Sequence, residues 1–154
     1  MRYAVLVIAL VMSVAASAQS GGKADVFSAV QLSAKIAELS TQSANSGSGG
    51  TTLADYGSHK VQISVRASSG GGEIHAHFDD VMIVQQGSAT LITGGSVIAA
   101  KTGPDGETKG SGIQGGKSQT IGPGDIVTVN AGIPHQILVA PGVIYSAVVV
   151  KIRE

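Results

Sequence analysis

The chain has 154 residues, the length of one domain, and its ten basic and ten acidic side chains cancel. No basic run is present, which argues against a nucleic-acid partner, and the lack of cysteine excludes any disulfide or thiolate site. Abundant glycine and frequent Val and Ile, with few aromatics, suit a β-rich fold with many turns.

The first residues read as a targeting segment. Arg2 precedes an apolar run over 4–16, and Ala16-Ser17-Ala18 fits the small-x-small cleavage rule. Cleavage is expected after Ala18, giving a secreted or periplasmic protein that begins at Gln19. The run falls short of the roughly 20 residues of a spanning helix, so no membrane association is expected after cleavage. With no twin arginine, the general secretory route is the expected one. Residues 19–52 are expected to hold one helix and a flexible loop, and 53–154 a β domain. A partial apolar stripe of Val30, Ile36 and Leu39 predicts a short helix over 28–39. The Ser- and Gly-rich stretch 43–52 reads as a loop.

Strands are expected from about Tyr56 onward. Val61, Ile63 and Val65 alternate with Gln62, Ser64 and Arg66, the pattern of a half-buried strand over 60–67. Further strands are predicted at 73–77, 80–86, 89–92, 97–99, 118–121, 126–129, 135–139 and 143–152, separated by Gly, Pro and Asp turns. The polar, glycine-rich segment 101–117 is expected to be a mobile hairpin or lid. Short strands joined by tight turns predict an antiparallel sandwich or barrel of the jelly-roll kind.

The chemistry concentrates around residue 75. His75 and His77 lie two apart, so on one strand both imidazoles face the same side. Asp79 and Asp80 follow at once, and a distant Pro134-His135 stands after another turn. Imidazoles and a carboxylate converging from neighbouring strands make a first-row transition-metal site. Strict alternation favours Asp79 as the acid, whereas a turn after His77 resets parity and favours Asp80. Glu73 shares the parity of the histidines but sits at the strand's start, where the rim and solvent are expected. His59 lies outside the pattern. Glu107, Lys109, Tyr145 and Gln136 are candidate wall or mouth residues. No nucleophile elbow, P-loop or dinucleotide fingerprint occurs.

These features resemble a small single-domain cupin, exported and of a subgroup without a settled substrate. The first cupin motif has the form G-x5-H-x-H-x(3,4)-E-x6-G. Here His75 and His77 supply the pair, Asp80 stands for the Glu, and Gly87 closes it. In the second motif, G-x5-P-x-G-x2-H-x3-N, Gly124, Gly132 and His135 match, while Asn130 and Val139 depart from it. His77 to Asp80 is one residue shorter than the pattern. The resemblance implies an all-β cupin jelly-roll barrel with one short N-terminal helix. It also implies one divalent ion (Mn, Fe, Ni or Zn) on His75, His77, Asp80 and His135. The expected function is a metal-dependent oxygenase, isomerase or lyase acting on a small polar molecule. The other reading is a non-catalytic cupin that binds a sugar or organic acid. A homodimer is the resemblance-based expectation.

Overall fold

The computed structural model describes residues 24–154, so the expected signal peptide and its cleavage site lie outside the described residues. Helix α1 spans Ala29–Ser46, well beyond the expected 28–39. Ser28 caps it in a reciprocal box: its Oγ accepts from Gln31 N at 3.3 Å, and Gln31 Oε1 accepts from Ser28 N at 3.0 Å. The helix stops at Gly47, whose left-handed φ of 83° lets its N–H return to Ser43 O. Among the described residues no helix is long and apolar enough to cross a membrane.

Thirteen strands follow among the described residues. Strand β1 is Ser48–Asp55, β2 His59–Arg66, β3 Gly72–His75 and β4 Phe78–Gln86. Strand β5 is Ala89–Thr93, β6 Ser96–Ile98, β7 Lys101–Thr102 and β8 Glu107–Gly110. Strand β9 is Gly112–Gln114, β10 Lys117–Ile121 and β11 Ile126–Val129. Strand β12 is His135–Leu138, and β13 is Tyr145–Arg153. A five-stranded sheet runs β1-β2-β13-β4-β11, and a six-stranded sheet runs β10-β5-β12-β3-β8-β7. The pair β6-β9 forms a small third sheet.

One expectation fails here. The stretch 43–52 is not a loop: it finishes the helix and begins β1, which pairs antiparallel with β2 along its length. Partner hydrogen bonds decide a strand that carries almost no apolar residues. The segment 101–117 contains the expected hairpin, β7 against β8, and β8 also extends the six-stranded sheet beside β3.

The two faces of β2 do different jobs. Ile63 and Val65 are buried under the helix with Ile36 and Leu39. Each such side chain contributes about 1.5–3 kcal/mol by leaving water. The alternate residues Lys60, Gln62, Ser64 and Arg66 face the barrel interior and line a cavity. The polar face of the strand pattern is therefore turned to a cavity rather than to bulk water. A second apolar cluster, with Val84, Leu91, Ile121, Val129 and Tyr145, fills the rest of the barrel.

Candidate metal centre

The cavity holds about 380 Å³ and opens between the two large sheets. From the six-stranded sheet it receives Glu73 and His75 on β3, Glu107 on β8 and His135 on β12. From the five-stranded sheet, β4 gives Phe78, Asp80 and Met82, and β13 gives Tyr145, Val149 and Lys151.

Glu73, His75 and His135 each offer a donor atom, all within 4.8 Å of one another. Asp80 Oδ2 joins them, 3.3 Å from His75 Nε2 and 3.9 Å from His135 Nε2. Glu73 Oε2 lies 3.9 Å from His75 Nε2. The two imidazole rings are 5.0 Å apart at a tilt of 56°.

Both imidazoles are held from behind. His75 Nδ1 meets Glu107 Oε2 at 2.5 Å, and His135 Nδ1 meets the carbonyl of Ile133 at 3.2 Å. An acceptor at Nδ1 places the proton there and leaves the Nε2 lone pair for the cavity. Asp80 is anchored likewise: its Oδ1 accepts from Lys151 Nζ at 2.6 Å. Arg66 Nη2 stands 3.3 Å from Glu73 Oε1.

These contacts shift the titrations. Burial works against charge on His75, but Asp80 and Glu107 outweigh it and raise its pKa above the ordinary 6.5. Burial alone leads for His135 and lowers its pKa. Burial opposes the Asp80 carboxylate, yet His75 and Lys151 prevail and hold it below the ordinary 3.8. The Tyr145 phenol is pushed up to about 12 by burial, and its hydroxyl has no hydrogen-bond partner.

The same-face expectation for His75 and His77 fails. Strand β3 ends at His75, the chain bends at Ala76-His77, and His77 is exposed outside the cavity. Its carbonyl accepts from Glu154 N. Glu73 takes the same-face position two residues before His75, so the rim placement given to it is also corrected. Asp79 points elsewhere and accepts from Ala131 N at 2.7 Å, tying down the turn after β11. His59 stacks on Tyr56, ring centroids 4.8 Å apart, away from the site. Lys109 is exposed. Gln136 is a strut rather than a wall: it accepts from Ile113 N and donates to Gly70 O.

Neither a protein-family model nor a curated protein sequence matches this chain. Its likeness to known proteins is one of structure. An uncharacterised conserved protein with a double-stranded β-helix domain from Klebsiella pneumoniae subsp. pneumoniae superposes with a TM-score of 0.58. Identity is 16%, over 84% of this chain and 90% of that one. The chain has the cupin fold. KdgF from Halomonas sp. gives a TM-score of 0.51 at 13% identity, over 71% of this chain and 82% of that one. A recombinant oxalate oxidase in complex with glycolate gives 0.51 at 17% identity, over 70% and 51%. The chain spans about half the length of several such neighbours.

The cupin motif can now be set on the strands. With Glu73 and His75 in the paired positions, four residues lead to Asp80 and six more to Gly87. Downstream of His75 that spacing matches the pattern that His77 breaks, while upstream Glu73 stands for a histidine and the leading glycine falls on Ala67. Gly87 itself has a φ of 68°, and a Cβ there would run into the backbone of Ile144 and Tyr145.

Proposed function

We propose that this protein is a metal-binding cupin, exported, that acts as a metal-dependent enzyme on a small polar molecule. The observation that carries the metal reading is the matched pair of imidazoles. Each has Nδ1 engaged by an acceptor and Nε2 directed at Asp80. The residues fit an ion. Ligands about 2.0–2.2 Å from a divalent metal lie roughly 3–4 Å from one another; His75 to Asp80, His135 to Asp80 and Glu73 to His75 are 3.3, 3.9 and 3.9 Å, and Glu73, His75 and His135 offer donors within 4.8 Å. His75, His135 and Asp80 would hold the ion, with Glu73 as the fourth donor in place of His77. Two imidazoles with oxygen donors suit Mn, Fe, Ni or Zn.

A bound ion would supply Lewis acidity or a site for oxygen chemistry, with the substrate oriented beside it. The chain's own groups do the rest. Glu107 and the Ile133 carbonyl fix the ring tautomers. Lys151 holds Asp80 in place, and Arg66 holds Glu73. Met82 and Val149 exclude water from the floor. One observation favours a non-catalytic binding protein instead: Asp80 and Glu73 are each already paired, with Lys151 and Arg66.

Elemental analysis of protein purified without chelator or affinity metal tests the site. Near-stoichiometric metal is expected in wild type and in His77→Ala, and loss in His135→Ala. Equal metal in all three, or none in wild type, would falsify the assignment. Substrate consumption by loaded protein then separates the enzyme from the binding protein, which saturates without turnover. Export is tested by mass analysis of the mature product, expected to begin at Gln19 on the strength of the apolar run and Ala16-Ser17-Ala18.

A further inference from the structure

Lys60 and Lys151 stand directly opposite each other on β2 and β13, and both side chains line the cavity. Like charges at directly opposed cross-strand positions repel. Partial removal from water strengthens that repulsion. Asp80 answers only one of the pair, through its 2.6 Å contact with Lys151. The Lys60 partner is Asp55, 3.2 Å away and about half exposed, with a side-chain exposure of 48%. Both ammonium groups also lie over the Phe78 ring, 6.0 and 5.8 Å from its centroid, and the Arg153 guanidinium is 4.9 Å from it. Three cations therefore gather round the Phe78 ring, two of them, Lys60 and Lys151, from the cavity wall.

Charge balance points the same way. The cavity wall carries three cations, Lys60, Arg66 and Lys151, and three carboxylates, Glu73, Asp80 and Glu107. These cancel. A divalent ion on Asp80 and Glu73 would leave these wall groups two charges positive, with the half-exposed Asp55 outside the wall as the only further counter-charge named for Lys60. A carboxylate would remove one of these charges and a dicarboxylate both. Beside the lysines lie Met82, Ile137 and Val149, and the 380 Å³ volume is at the small end for ligand sites. A short hydrocarbon body fits that lining better than a fully hydrated inorganic anion does.

We propose that the ligand of this cavity is a small aliphatic carboxylate, its anion held between Lys60 and Lys151. The proposal names the ligand class of the metal site and rests on that reading for the excess positive charge. The opposed lysines carry it independently. Lys60 contacts none of the metal donors and is the specificity-determining residue.

The test is calorimetric titration of the metal-loaded protein with succinate, butyrate, butyramide and inorganic phosphate, alongside elemental analysis of each sample. Succinate and butyrate are expected to bind, more weakly as salt is added, and butyramide at least tenfold more weakly than butyrate. Lys60→Gln should keep its metal and lose about tenfold in carboxylate affinity, with Lys60→Arg restoring most of it. Wild-type succinate affinity in metal-loaded Lys60→Gln overturns the proposal. So does butyramide binding equal to butyrate, or phosphate binding tighter than either acid. If wild type takes up no metal the metal reading falls, while succinate binding that still needs Lys60 supports the anion subsite, so the two failures are distinguishable.

Discussion

Replacing Glu107 tests the site from behind the metal donors. Glu107 Oε2 sits 2.5 Å from His75 Nδ1, both groups are largely out of solvent, and the bond is charge-assisted. Losing such a partner of a ligating histidine typically costs 10–100-fold in metal affinity, about 1.4–2.7 kcal/mol. Glu107→Ala should fall in that range. Glu107→Gln keeps an acceptor oxygen but no charge. A neutral bond has roughly half the strength of a charged one, so about 3–10-fold is expected. The assay is competition for Zn or Mn against a chelating dye, with circular dichroism to confirm the fold. Nitrogen NMR of His75 should show the proton on Nδ1 in loaded wild type and a mixture of tautomers in Glu107→Ala. Affinities within twofold of wild type for both folded variants would refute the reasoning, because Nδ1 would then need no acceptor.

The pH dependence of the metal-free protein has a definite sign. His75, raised above 6.5, contributes stability that is full below 6.5 and is lost as pH rises through its folded value. Asp80, lowered below 3.8, contributes stability that is full above 3.8 and is lost as pH falls through its folded value. Melting temperatures of metal-free protein should therefore hold up between 3.8 and 6.5 and decline beyond, as far as these two groups decide. Metal affinity should run the other way, climbing with pH until the His75 proton is gone. Affinity that is flat or falling across that rise would count against His75 as a donor. Tyr145→Phe should leave urea stability unchanged or raise it by about 1 kcal/mol, because it removes a buried hydroxyl that has no partner. A loss beyond about 1 kcal/mol would show that the hydroxyl is satisfied in solution.

The strands were legible where apolar and polar residues alternate, as in β2, or where an apolar or β-branched run is bounded by turns, as in β4, β11 and β13, and all four fall within two residues of their expected ends. The strand β1 was not, because Ser48-Gly49-Gly50-Thr51-Thr52 has no apolar rhythm of its own. Its place comes from pairing with β2 and from a close approach of the helix, where Ser43 Oγ would touch any Cβ at Gly49. His75, His135 and Asp80 could be placed from motif spacing. His77 could not be excluded by parity alone, because parity holds only while the strand lasts, and β3 ends two residues early. The signal was present in the count of two residues from His77 to Asp80, against four from His75. The acceptor for His75 lies 32 residues away on β8, a distance no local pattern spans.

Under the proposed metal binding, that distance couples a surface segment to the interior. The acceptor is carried by β8, within the segment from Lys101 to Gln114, and Gln136 pins the far end of that segment through Ile113. Docking of the segment and capture of an ion are then linked equilibria, and each must favour the other by the same factor. Withdrawal of metal should speed hydrogen exchange through β7 and β8 and open Lys101 and Lys109 to proteolysis, while the helix and the five-stranded sheet stay protected. Trypsin sensitivity of a surface hairpin would thus report, at a distance, whether the interior is charged.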